Sequence, residues 1–231
     1  MPTSPESITA QLTDLSAQLT AQGRRVQSLC EAAFDTVFTC EPAACKAVIA
    51  RDEEIDAVDV AIEKAAVDLL TVACTANAAM PPQQLRAVLT IVKVNNELER
   101  IADVGTGIAE TAQNLPPGVS FPPTFRVLTN SVVGILRDCV TALQTGNAAL
   151  AKVVLMSEAA VGEFKKTLVR EVQQQLAAGH IAIGQAAGMH DLAVACVVMA
   201  DHCTNIAEQV LYAQTGTIVR HMEGRWEEVK V

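Results

Sequence analysis

Apolar residues recur along most of the chain at intervals of three and four, the spacing that places side chains on one face of an α-helix. Ile8, Leu12, Leu15, Leu19, Val26, Leu29, Ala33 and Val37 form a first stripe, and Val48, Ile55, Val58, Ile62, Ala65 and Leu69 a second. A third segment runs from about Pro82 to Ala112. Leu128, Val132, Ile135, Cys139 and Leu143 begin a fourth, and Gly146 with Asn147 predicts a turn after it. Val154, Val161, Phe164, Leu168 and Val172 give the fifth; Met189, Leu192, Cys196, Met199, Cys203, Ile206 and Val210 give the sixth. Prolines fall between these stripes, where they separate helices or open them. The pattern predicts an all-α fold of six long helices in antiparallel, up-and-down order. The Pro/Gly-rich loop from Leu115 to Pro123 divides it into two three-helix halves, residues 1–117 and 118–231.

The third and sixth helices share a sequence. Residues 102–110 read ADVGTGIAE and residues 200–208 read ADHCTNIAE, with six of nine positions identical at a constant offset of 98. Each ends the third helix of its half, so the simplest origin is a duplicated three-helix unit.

One face of the third helix changes character along its length. Leu85, Leu89, Val92, Asn96, Glu99, Asp103, Thr106 and Glu110 lie on it, apolar first and anionic later. The neighbouring face stays apolar through Leu98, Ile101 and Ile108, so the acidic stripe is expected to border the core. On the second helix Asp52, Asp56, Asp59 and Glu63 fall within about 60° of one another. Like charges so spaced cost roughly 0.2–0.5 kcal/mol per pair, and two facing stripes would raise some carboxyl pKa values. A cation would relieve the repulsion. Carboxylates without thiols or paired imidazoles are hard ligands, suited to Mg²⁺, Mn²⁺, Ca²⁺ or iron. A solvated acidic face is the plainer alternative.

Composition narrows the function. The net charge of −9 and the lack of a Lys/Arg cluster argue against wrapping nucleic acid or lying on an anionic membrane. Seven cysteines, odd in number and without CxxC spacing, read as small core residues in a reducing compartment. The polar start MPTSPESITAQ does not resemble a secretory signal. The longest near-apolar stretch, Ala65 to Met80, is broken by Asp68 and falls short of the about 20 apolar residues of a membrane span. The expected location is the cytoplasm. No Glu-x-x-His pair precedes any of the four histidines, and His202 beside Asp201 reads as an edge histidine before a ligand. Gly105 and Gly107, with no strand ahead of them, read as close-packing residues and not as a phosphate loop. Arg24 and Arg25 are expected to be solvated.

NNELERIADVGTGIAE (Asn95 to Glu110) resembles the signature of the PhoU family, an N-x-L-E-R-I-G/A-D core followed by N-I-A-E. ARDEEIDAVDVAIEK (Ala50 to Lys64) is similar to the family's second-helix pattern, and ADHCTNIAEQVLYAQTG followed by VRH to its C-terminal repeat and tail. The resemblance spans nearly the whole chain in family order. It implies two tandem three-helix bundles related by pseudo-twofold symmetry, with surface metal clusters. In this chain the implied metal ligands are Asp52, Asp56, Glu99 and Asp103, for iron, zinc, manganese or magnesium. In the second half Val197 replaces Glu99 and Gly162 replaces Asp56, leaving Glu158, Asp201 and Glu208 as a weaker second set. The resemblance further implies a non-enzymatic regulator of phosphate uptake and phosphate-starvation signalling. It would link the ATPase subunit of a phosphate ABC transporter to a sensor histidine kinase, with a homodimer as the expected assembly and no nucleic acid or membrane insertion. The alternatives are an accessory subunit of a phosphate permease or channel, and a metal-dependent hydrolase.

Overall fold

The computed structural model describes residues 5–116, 118–222 and 225–229. Pro2 and Pro117 lie outside them, as do the side chains of His221 and Trp226. The elements are α1 (Pro5–Thr39), α2 (Pro42–Ile49), α3 (Asp52–Thr75), α4 (Pro82–Gln113), α5 (Pro123–Thr145), α6 (Ala148–Ala177) and α7 (Ile183–Thr215). A hairpin of β1 (Ile218–Met222) and β2 (Arg225–Val229) follows, antiparallel, with Ile218 opposite Val229 and Met222 opposite Arg225.

Prolines open α2, α4 and α5, where the missing N–H is harmless. Gly146 and Gly216 close α5 and α7 in the left-handed conformation that glycine adopts without strain. Asn147 then caps α6, its side chain accepting from the Leu150 N–H at 3.0 Å. The six long helices of the sequence pattern are present. The eight-residue α2 is additional: Val48 belongs to it, and the second long helix begins only at Asp52.

Helices α1, α3 and α4 pack together with α2 at their edge, and α5, α6 and α7 pack together. The two groups meet through α4 against α7 and α1 against α5. One continuous core results, with Leu29, Leu98, Ile101 and Ile108 on one side and Leu128, Leu136, Met189 and Met199 on the other, all 0–1% exposed or fully enclosed. Thr106 and Thr204 are repeat mates, and each donates its hydroxyl to the carbonyl three residues back, Asp103 O at 2.8 Å and Asp201 O at 2.7 Å. The seven cysteines are free, and five are buried; Cys40 is half-buried and Cys74 exposed.

Two expectations need correction. The apolar start of the α4 stripe is not core: Leu85 and Leu89 are 43% and 52% exposed, and the buried seam runs one position over through Val88, Ile91, Val94 and Leu98. The most apolar long segment is α7, not Ala65–Met80. By length and composition α7 could cross a membrane, with a window of mean hydropathy 1.4. Its apolar face, Met189, Leu192, Cys196 and Met199, packs against α4, α5 and α6. The first stripe, from Ile8 to Val37, is a single helix, α1, that runs through Gly23.

Of the two glycines in the first repeat, only Gly105 is needed for close packing. A Cβ there would lie 2.5 Å from Leu29 Cδ2 and 3.0 Å from Cys30 Sγ, both enclosed, whereas Gly107 has nothing within 4 Å. Gly105→Ala should therefore destabilise by about 1–3 kcal/mol through overpacking. Gly107→Ala should stabilise by roughly 0.5–1 kcal/mol through helix propensity. Urea midpoints of the two variants would check this, and equal midpoints would contradict it.

Candidate functional site: a carboxylate face on α3 and α4

Helix α3 carries seven carboxylates and one lysine. Burial of Ile55, Ile62, Ala66 and Leu69 against α1 and α4 decides its rotation, and so turns Asp52, Asp56, Asp59 and Glu63 toward the outer seam with α4. The register across that seam is pinned by Asn95, which is 2% exposed. Its Nδ2 donates to Asp59 O at 2.9 Å and to Asp59 Oδ1 at 2.6 Å. Antiparallel packing from that point sets Asp52 toward Asp103 and Glu110, and Glu99 toward Asp56 and Asp59.

The electrostatics follow from this placement. Partial burial pushes the Asp52 carboxyl above its ordinary value, and the charges of Asp56, Asp103 and Glu110 push it further. Burial likewise raises Glu99, reinforced by Asp103, Asp59 and Asp56. Asp59 is raised by burial and by Glu63 and Asp56, against a downward pull from the Asn95 hydrogen bond. Asp52 Oδ1 and Asn95 Oδ1 are buried without a hydrogen-bond partner. Among the described residues, no ion pair reaches Asp52, Asp56, Glu99 or Asp103; Arg25, just beyond the face, is taken by Glu54 at 3.1 Å.

The four residues singled out from sequence thus share one electrostatic environment on two neighbouring helices. The donor set is all carboxylate oxygen, with one orphaned buried oxygen at Asp52, which fits a hard cation better than zinc. As the side chains stand, no three donors among the described residues converge closely enough to hold an ion. Asp56 and Asp103 are exposed.

The second-half set is not assembled in the same way. Asp201 is exposed, Glu158 half-buried and Glu208 only 5% exposed. Asp201 and Glu208 are two turns apart, about 10 Å of helix rise. Lys165 stands where the first half has Asp59.

Sequence reasoning missed two features. Glu110, though on the acidic stripe, was left out of the ligand set, yet it adds to the field at Asp52. Glu97 on α4 accepts from His202 Nδ1 at 2.7 Å and from Asn205 Nδ2 at 3.1 Å on α7, tying the two helix groups together. Although burial opposes it, hydrogen bonds from His202 and then Asn205 hold Glu97 below the usual carboxylate range. The α4–α7 contact is long-range, so no local spacing pointed to it.

A helical protein with a repeated three-helix plan and an acidic face on its first half belongs to the helical-bundle class. The family model described as the PhoU domain matches residues 19–112 and again 125–210. The chain belongs to the PhoU family. It is 26% identical over 94% of its length to the phosphate-specific transport system accessory protein PhoU homolog of Pseudomonas putida, covering 84% of that protein. It is also 26% identical over 80% of its length to PhoU homolog 1 of Thermotoga maritima, covering 78% of it. Among solved structures, the phosphate transport system regulatory protein PhoU from Streptococcus pneumoniae superposes with a TM-score of 0.83 at 20% identity, over 92% of this chain and 99% of that one. PhoU from Pseudomonas aeruginosa gives 0.82 at 24%, over 90% and 99%. These two share the fold.

The pKa directions give opposite pH dependences. Where folding raises a carboxyl pKa, the fold favours the protonated form, so stability is present at low pH and lost as pH rises through the folded value. Asp52, Asp59 and Glu99 therefore destabilise the metal-free protein increasingly from about pH 4 upward. Glu97 is lowered, so its contribution is present at neutral pH and lost as pH falls through its folded value. In metal-free protein Asp52→Asn and Glu99→Gln should each raise stability at pH 7 by roughly 0.2–0.5 kcal/mol per relieved like-charge pair. That gain should vanish near pH 4 in thermal melts. Glu97→Gln should lower stability at pH 7, by about 1–3 kcal/mol.

Proposed function

We propose that this protein is an accessory and regulatory protein of a phosphate transport system, acting in the cytoplasm as a non-enzymatic adaptor. Its partners would be the ATPase subunit of a phosphate ABC transporter and a sensor histidine kinase, and it would restrain uptake and the starvation response when phosphate is plentiful. The observation that carries this reading is the double PhoU-domain match across both halves, together with relatives named as accessory proteins of phosphate transport. In this reading each half is one three-helix repeat, the protein works as a homodimer, and it neither inserts into a membrane nor binds nucleic acid.

Asp52, Asp56, Glu99 and Asp103 would hold a divalent or trivalent metal, iron, manganese or magnesium before zinc. The ion would supply positive charge that removes the mutual repulsion of α3 and α4. The residues themselves fix the relative position of the two helices, through the Asn95–Asp59 pair and the core behind it. Loading would stiffen the outer face of the first half and leave the second unchanged. Glu158, Asp201 and Glu208 would be at most a lesser site.

Elemental analysis of protein purified without chelator should find iron, manganese or magnesium, and Glu99→Ala combined with Asp103→Ala should abolish it. Unchanged metal content would refute the ligand assignment. Tagged protein should co-purify with the transporter ATPase and the kinase. Recovery of a permease without either would favour the accessory-subunit alternative, and phosphatase activity lost on Asp103→Ala would favour an enzyme.

A further inference from the structure

Beside the carboxylate face, the outer groove of α3 and α4 exposes large apolar side chains. Val60 is 63% exposed, Val67 56%, Leu85 43% and Leu89 52%. Asp59 lies level with Asn95 through their hydrogen bonds. Running outward from that point in opposite directions along the two helices brings Val67 on α3 abreast of Leu89 on α4. Val60 and Val67 are seven apart and Leu85 and Leu89 four apart, so each pair lines one face. Val67, Leu85 and Leu89 therefore lie toward the α3–α4 loop, and Val60 lies beside Asp59 at the border of the carboxylates. Glu63 sits between the two valines.

Scattered exposed apolar residues need no explanation, but a row of them along a groove marks an interaction surface. The occupant is indicated by two things. The same pair of helices already holds a helix on its inner side, where α1 packs with Ile8, Leu15 and Leu19 buried at helical spacing. The α4 side of α3 is negative through Asp52, Asp56, Asp59 and Glu63, while Glu54 and Asp68 lie toward α1. We propose that the α3–α4 outer groove docks an amphipathic helix of a partner protein, its apolar stripe on Val60, Val67, Leu85 and Leu89 and its basic residues against Asp59 and Glu63, which lie outside the four proposed metal ligands. The groove's counterpart on α6 and α7 differs. A cavity of about 240 Å³ lies there, lined by Leu168, Val172, Leu176, Ile183 and Met189. Lys165 and Lys166 occupy the positions of Asp59 and Val60, so this groove lacks the charge to select a basic helix. It serves as the internal control.

This inference rests on the adaptor reading only for the partner's biological role. Metal content and ATPase capture can fail while the groove still binds a basic helix, and the reverse, so the two readings fail separately. The probe is a fluorescein-labelled helical peptide of about 18 residues, with leucines at i, i+4, i+7 and i+11 and lysines clustered toward one end. Anisotropy titration against the full chain should show saturable binding. Leu85→Ser with Leu89→Ser, and Val60→Ser with Val67→Ser, should each weaken it by about tenfold or more, and Ile183→Ser by less than about twofold. All these side chains are exposed, so circular dichroism should show intact folds. A peptide with glutamate in place of lysine should bind at least about tenfold more weakly, and salt should weaken the lysine peptide. Equal binding by both peptides, or by wild type and groove variants, would overturn the proposal. So would self-association lost with Leu85 and Leu89, which would make a second copy the occupant. Sedimentation with phosphatidylcholine–phosphatidylglycerol vesicles through those leucines would assign the groove to a lipid surface instead.

Discussion

The apolar seam behind α3 and α4 holds two rows of like charge together. Left to themselves, Asp52, Asp56 and Asp59 on one helix and Glu99, Asp103 and Glu110 on the other would drive the pair apart. Ile55, Ile62, Val94, Leu98 and Ile101, buried almost completely behind them, keep the helices in place. Each exposed charge pair costs a fraction of a kcal/mol, while each enclosed Leu or Ile contributes about 1.5–3 kcal/mol. Packing wins, and the repulsion remains as stored potential that any cationic group can relieve. The raised carboxyl pKa values are the same fact seen from the proton's side.

The two halves use one plan for different ends. Their third helices share the hydroxyl-to-carbonyl bonds of Thr106 and Thr204, and each lends an apolar face to the common core. They diverge outside it. Where α3 and α4 have Asp56, Asp59 and Glu99, α6 and α7 have Gly162, Lys165 and Val197. The second half instead supplies His202 and Asn205 to Glu97. That contact makes the second half a support for α4, whose opposite edge carries the acidic face. The repeated unit keeps a common core while its two copies differ in surface charge.

Much of this was legible in the chain. The six long helices, the Gly146–Asn147 turn and the proline starts follow from local rules, because each depends on residues within one or two turns, whereas the short α2 was not legible in the pattern. The family membership, too, followed from ordered motifs. The stripe from Leu85 to Glu110 was harder: its spacing is helical throughout, but periodicity alone does not say which of two adjacent faces turns inward. Leu85 and Leu89 looked like the apolar start of a seam, and they are surface residues.

The sequence by itself determined that long amphipathic helices form, that a unit is repeated, and that acids are concentrated on two helix faces of the first half. Those are properties of period, composition and identity at fixed offsets. Tertiary structure decided which helix faces meet: that Asp52 faces Asp103, that Asn95 sets the register with Asp59, and that Glu97 finds His202 across 105 residues. It also decided that α7, apolar enough to be mistaken for a span, has a packed face against three other helices. Such pairings depend on the rotation and sliding of whole helices, which many weak contacts settle jointly and no short stretch of sequence encodes alone.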